Sequence, residues 1–122
     1  MKDIYSYIDE NIEEYISDLQ ELIRKPSVSA QNIGLVECAE FVKNQMHKDG
    51  LPAELYEIPG GPPLVFGHLK SSLSKKTLFC YSHYDVQPPE PIEKWSHGGP
   101  WSGALVDNVI YGRGATDNKG GL

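Results

Sequence analysis

An α/β fold is predicted for this chain, with two helices leading into a sheet. Two patterns predict it: apolar residues recur at spacings of three and four in the first part of the chain, and short β-prone runs separated by turn residues fill the rest. A third observation sharpens it. The run Thr77-Leu78-Phe79-Cys80-Tyr81-Ser82 is almost continuously apolar, as expected of a strand covered on both faces. The expected architecture is therefore a mixed sheet with that run as its buried central strand.

The first helix is predicted over residues 3–24, where Ile4, Ile8, Ile12, Ile16, Leu19 and Ile23 form one stripe and Asp and Glu fill the other faces. It stops before Pro26, which disfavours helical geometry at Lys25. The second helix is predicted from near Asn32 to Lys48, with Leu35, Ala39, Val42 and Met46 as its buried stripe and Gly50 as the terminating residue. Strands are predicted over 53–58, 64–69, 77–82 and 108–111. Gly60-Gly61-Pro62-Pro63 and the polar 70–76 segment read as turns between them. The loop from Gln87 to Gly103 is long for a compact domain, and its tryptophans, Trp95 and Trp101, argue that it packs.

With 122 residues and 39% hydrophobic content the chain holds enough apolar material for one domain or part of one. The net charge of -6 comes from acidic residues spread over the helices, so there is no basic face for a phosphate backbone and nucleic acid is not an expected partner. No apolar run approaches membrane-spanning length, and the acidic N-terminal stretch does not resemble a signal peptide, so a cytoplasmic protein without a membrane partner is expected. Cys38 and Cys80 make no disulfide framework and are expected to be buried thiols in a reducing compartment.

Two motifs carry chemistry. His83 and Asp85 follow the apolar run and lie two residues apart, so in extended geometry both side chains leave the same face. At the carboxyl end of a strand, His83 is placed to bind a metal ion while Asp85 steadies its ring. A bare His-x-Asp also arises where a His caps a strand and an Asp opens a turn. His47, His68 and His97 are read as structural or solvated.

The second motif is Gly112-Arg113-Gly114-Ala115-Thr116-Asp117-Asn118-Lys119-Gly120-Gly121, with four glycines in ten residues. Such density points to unusual backbone angles or close approach. The glycine spacing fits neither a dinucleotide fingerprint nor a phosphate loop. A carboxylate offered from such a loop, Asp117, can bridge two cations about 3.5 to 4 Å apart. The alternative is a glycine turn with Asp117 as a helix N-cap.

Taken together, Ser82-His83-Tyr84-Asp85-Val86-Gln87-Pro88 and the segment from Tyr111 to Gly120 resemble the co-catalytic dinuclear zinc peptidase and deacylase family, which includes carboxypeptidase G, acetylornithine deacetylase, succinyl-diaminopimelate desuccinylase, aminoacylase and carnosinase-type dipeptidases. Arg24-Lys25-Pro26-Ser27-Val28-Ser29 and the helix ending near Gly50 resemble the same family's opening. The Tyr84-Asp85-Val86-Gln87-Pro88 run followed by Trp95 is closer to the dipeptidase branch.

What the resemblance implies is an N-terminal portion, residues 1–122, of a three-layer zinc-exopeptidase catalytic domain, with no second domain in the chain. His83 ligates one zinc, Asp117 bridges two, and Asp85 orients His83. Cobalt and manganese are the substitutes. A cis peptide is implied after Asp117. Asn118 stands where the family often has a second Asp, a position that is not a principal ligand.

The family's general base, from a Glu-Glu pair, and its remaining ligands come later than residue 122. The chain is therefore expected to be a fragment that is inactive by itself. The parent activity is hydrolysis of a peptide or amide bond in a small peptide, or alternatively deacylation of an N-acyl amino acid. A non-catalytic binding module is the alternative from another class. Homo-oligomers in the family form through a domain the chain does not contain.

Overall fold

The computed structural model describes residues 2–122. Helix α1 spans Lys2–Ile23 and helix α2 spans Leu35–Lys48. Strands β1 (Ala53–Tyr56) and β2 (Leu64–Gly67) form one antiparallel hairpin, and β3 (Ala104–Val106) and β4 (Val109–Tyr111) form another. Single 3₁₀ turns lie at Ser29–Gln31, Ile92–Lys94 and Lys119–Gly121.

Helix α2 is the centre of the core. Leu35, Cys38, Ala39 and Val42 are buried on it at helical spacing and meet Leu22 of α1 and Tyr84, with Phe41, Met46, Leu55 and Val65 packed around them. The helix ends in paired turn bonds, Gly50 N–H to the His47 carbonyl and Leu51 N–H to the Met46 carbonyl. Gly50, at φ +79°, supplies the left-handed residue such an ending needs. The β1–β2 hairpin then lies on α2 with Ala53 opposite Gly67. A β-carbon at position 67 would stand 2.5 Å from Met46 Cε and 3.0 Å from Leu51 Cγ, so any side chain there would have to displace the Met46 tip.

Helix α1 buries only its C-terminal end. Ile23 is fully buried and Leu22 nearly so, Ile16 and Leu19 are half-buried, and Ile4, Ile8 and Ile12 are exposed. The stripe expected along the whole helix is thus realised over its last two turns. The end of α1 and the residue after it are tied to the segment that enters the second hairpin, where Gln20 Nε2 donates to the Gly103 carbonyl at 2.6 Å and Arg24 Nε to the Ser102 carbonyl at 3.2 Å.

The expectation of a buried central strand over 77–82 is not met. No strand pairing occurs there, and Leu78, Phe79 and Tyr81 are 86%, 79% and 79% exposed. The cause lies in the pairing: the two hairpins satisfy their own ladders, and among the described residues no segment makes backbone hydrogen bonds to this run. Two small antiparallel sheets stand in place of one mixed sheet, within an α/β chain, and the parallel pairing is a single bridge between Val28 and Val86. Cys80, on the same run, is exposed, whereas Cys38 is buried as expected.

Strand β3 is the element the sequence reading missed. The β3–β4 hairpin turns on Asp107 and Asn108, both at positive φ, +50° and +62°. That is the two-residue geometry matching strand twist, here built from an Asp-Asn pair without glycine. The 87–103 loop packs as its tryptophans suggested: Trp95 Nε1 donates to the Pro89 carbonyl, and both indoles are half-buried.

Candidate metal centre

Position 83 is held from below. Ser27, fully buried, accepts the Val86 N–H on its carbonyl at 2.8 Å and donates its Oγ to the Tyr84 carbonyl at 2.7 Å. Between them these bonds fix the backbone on both sides of Asp85. Tyr84 turns inward, donates its hydroxyl to the Pro63 carbonyl at 2.6 Å, and is pushed up to about 12 in pKa, first by burial and then by Cys38 and Asp85. With Tyr84 inward, His83 and Asp85 point outward together.

The His83 ring is half-exposed, and both its nitrogens are engaged. Nδ1 lies 3.0 Å from the Asp85 carbonyl oxygen and 3.2 Å from Asp85 Oδ1. A carbonyl oxygen only accepts, so Nδ1 carries the proton. Nε2 then faces Asp117 Oδ1 at 3.2 Å. Burial lowers the pKa of this ring, but the Asp85 carbonyl and the two carboxylate charges outweigh it, so the net direction is upward. Ser29 completes the arrangement by donating its Oγ to Asp85 Oδ2 at 2.7 Å, leaving Oδ1 toward the ring.

Asp117 arrives on the glycine-rich loop. Its peptide bond to Asn118 is cis, as the resemblance implies. Asn118 donates Nδ2 to Ser82 Oγ at 2.8 Å, joining this loop to the residue before His83. Lys119 is buried, its N–H bonded to the Gly114 carbonyl at 2.9 Å, and burial lowers its pKa. Asp117 itself is 84% exposed and borders a polar cavity of about 220 Å³ that Gln87, Arg113 and Thr116 also line. Arg113 lies over the Trp95 ring, 5.1 Å from its centroid.

The structure thus brings His83, Asp85 and Asp117 into one line, carboxylate to ring to carboxylate, across the 31 residues that separate Asp85 from Asp117. It keeps the other histidines away. His47 Nε2 is bonded to the Ala53 carbonyl, His97 packs on Tyr111, and His68 is exposed on the β1–β2 side. Ser27, Ser29 and Lys119 were not among the predicted site residues; the signal for the serines was the Pro26-Ser27-Val28-Ser29 segment itself.

The donor set fits part of a metal site. A ring whose Nδ1–H is held by a carbonyl and a carboxylate, with Nε2 turned toward a second carboxylate, is the usual disposition of a zinc-binding imidazole. Among the described residues, no three His, Cys, Asp or Glu side chains converge in a group able to enclose an ion. The chain presents two donors, His83 Nε2 and the Asp117 carboxylate, on one open side.

Comparison with known proteins gives this geometry a context. Residues 79–122 match the sequence model of Peptidase family M20/M25/M40. Over 98% of the chain, the sequence is 36% identical to the Cys-Gly metallodipeptidase dug1 of Schizosaccharomyces pombe, of which it covers 28%. Over 84% of the chain it is 35% identical to a succinyl-diaminopimelate desuccinylase of Methylorubrum extorquens, of which it covers 26%. Among solved structures, the M20 family metallo-carboxypeptidase Sso-CP2 from Sulfolobus solfataricus superposes with a TM-score of 0.82 at 41% identity, over 88% of this chain and 24% of that one. The chain spans about a quarter of the length of the relatives it matches.

Proposed function

The chain belongs to peptidase family M20/M25/M40, and from that premise we propose that residues 1–122 are an N-terminal portion of the catalytic domain of a zinc-dependent hydrolase acting on the peptide bond of a dipeptide. The carrying observation is the His83 ring, with Nδ1 held by Asp85 and Nε2 directed at Asp117. His83 would hold one zinc and Asp117 would bridge it to a second, while Asp85 orients the imidazole. When bound, such ions polarise the scissile carbonyl and bring a water's pKa toward neutrality.

The chain's own residues act by placement. Asp85 keeps the proton on Nδ1, so that Nε2 presents its lone pair outward. Ser29 keeps Asp85 in that pose. Asn118, through Ser82, keeps the bridging carboxylate beside the ring. A dipeptide substrate is supported by the likeness to a metallodipeptidase, and a cytoplasmic setting is part of the same proposal. No helix among the described residues is long and apolar enough to cross a membrane. The likeness to a desuccinylase supports a second reading, deacylation of an N-acyl amino acid at the same half-site.

Two donors hold a metal weakly, since catalytic zinc sites supply three protein ligands. The 122-residue chain is therefore expected to bind zinc in the micromolar range or weaker and to turn over no dipeptide. Calorimetric titration with zinc tests this: His83→Ala and Asp117→Ala should each abolish the binding. Binding untouched by both substitutions removes the half-site, and dipeptide turnover that His83→Ala abolishes overturns the expectation of inactivity.

A further inference from the structure

We propose that Lys119 is the positioning residue of the half-site, holding the Asp117 loop against the end of α1 and so setting where Asp117 stands relative to His83. The proposal deepens the reading of those two residues as metal ligands and rests on it.

Lys119 is 2% exposed, and lysines are rarely so buried without a carboxylate partner. Among the described residues none is bonded to it. Its ammonium donates to the carbonyl of Leu22 at 2.9 Å and to the carbonyl of Lys25, and it faces the Trp101 ring, 5.8 Å from the centroid. The two carbonyls belong to the last turn of α1 and the residues just beyond it, where intrahelical donors run out; the Leu22 carbonyl also accepts the Lys25 N–H at 3.1 Å. The last turn of α1 has no basic residue of its own. The cation that satisfies it comes from a position 97 residues further on in sequence.

The same stretch, residues 22–29, supports the other half of the site. Ser27 fixes the backbone beneath His83, and Ser29 bonds Asp85. One turn therefore anchors both sides: its serines hold the His83 segment, and its carbonyls, through Lys119, hold the Asp117 loop. The loop is shaped to let this happen. Gly114, at φ +89°, accepts the Lys119 N–H on its carbonyl, and a β-carbon there would lie 3.1 Å from Lys119 Cδ and 2.7 Å from Val86 Cγ1. Asn118, bonded to Ser82, makes a second tie beside Asp117. With Asn118 and Lys119 both fixed, the exposed Asp117 carboxylate has little freedom except its own rotamers.

The test compares wild type, Lys119→Met and Val42→Ala in the 122-residue chain, measuring cobalt affinity and amide hydrogen exchange over residues 112–121. Val42→Ala loosens the α2 core away from the loop and controls for lost stability. Lys119→Met is expected to weaken cobalt binding about tenfold or more, the size of effect seen when groups that orient metal ligands are removed. It should also speed exchange of the Lys119 amide by about tenfold more than exchange within α2. Val42→Ala, which leaves the bonds made by Ser27, Ser29, Asn118 and Lys119 in place, should keep cobalt affinity within about twofold.

Wild-type cobalt affinity and loop protection in Lys119→Met would overturn the proposal. So would an equal loss of affinity in Val42→Ala, which is what a purely structural role produces. If Lys119→Met does not fold, Lys119→Arg decides: the larger head group crowds Gly114 and displaces the loop, so cobalt affinity falls in a folded chain, and unchanged affinity overturns the proposal. A wild-type chain that binds no cobalt defeats the metal reading alone. Exchange then judges Lys119, which stands if loop protection is selectively lost and falls if it is not.

Discussion

The floor of the half-site and the run from Thr77 to Tyr81 are separated by one residue, Ser82, yet they differ in almost every physical respect. Beneath His83 and Asp117, backbone and side-chain polar groups find partners within the chain: Ser27 with Tyr84 and Val86, Ser29 with Asp85, Asn118 with Ser82, Lys119 with the end of α1. In the run before Ser82, apolar side chains on both faces are exposed and no strand pairs with the backbone. Beside it lies an open groove of about 1080 Å³, lined largely by apolar residues such as Ile16, Leu19, Met46 and Leu64. The lesson is that the two proposed ligands are arranged by contacts within these residues, whereas the run that leads to them finds no cover among the described residues.

The largest expected effect breaks the ordered side of that contrast. Gly34 precedes α2 at φ +65°, and a β-carbon there would run into the Pro26 carbonyl. Gly34→Ala combines a left-handed backbone with an overlap against main chain, so a loss of about 3 kcal/mol or more is expected. Urea denaturation measures it. Because residues 26–34 form the turn that carries Ser27 and Ser29, zinc affinity should fall in the same variant. A loss below about 1 kcal/mol would mean that the turn gives way easily and does not anchor the site.

Why the sequence disclosed some of this and not the rest follows from how far each signal reaches. Helix α2 was legible because its stripe and its terminating Gly50 are local. Most of α1 was misjudged in burial because periodicity reports a face, not what covers it. The same limit explains residues 77–82: the apolar run indicates a strand made for two covered faces, and pairing partners are not encoded in the run. Strand β3 escaped notice because Asp107-Asn108 is a weaker turn signal than a pair ending in glycine. His83 and Asp117 were singled out because their motifs are compact. Ser29 and Lys119 were not, since their partners lie 56 and 97 residues away and only the folded chain brings them together.

An intermediate effect concerns pH. The folded state holds Tyr84 neutral, with its pKa raised to about 12 from 10. A raised pKa contributes stability that is present in full below the unfolded value and is lost as pH rises through the folded one. The chain should therefore lose about 1 to 2 kcal/mol between pH 10 and pH 12. Lys119 has the opposite sign, its pKa being lowered by burial, so stability tends to rise with pH up to 10.5 and is level above it. The Tyr84 loss should accordingly be steepest above pH 10.5. Denaturant midpoints at pH 9, 10.5 and 12 test it, with Tyr84→Phe flattening the last interval; an equally steep fall in Tyr84→Phe assigns the loss to other groups.

The smallest expected effect is the one that most sharpens the contrast. Phe79, at 79% exposure, has its ring in solvent, so Phe79→Asp removes little packing and leaves the denaturant midpoint of the chain within about 0.5 kcal/mol of wild type. The same change at a covered aromatic costs about 3 to 5 kcal/mol and adds a buried charge. Association should respond where stability does not. An unpaired apolar run offers both a strand edge and a sticky surface, so dilute wild-type chain should sediment with a larger mean mass than Phe79→Asp at equal concentration. Should Phe79→Asp instead unfold the monomer, residues 77–82 are packed in solution, and the line drawn here between the self-supporting floor and the uncovered strand moves to the other side of Ser82.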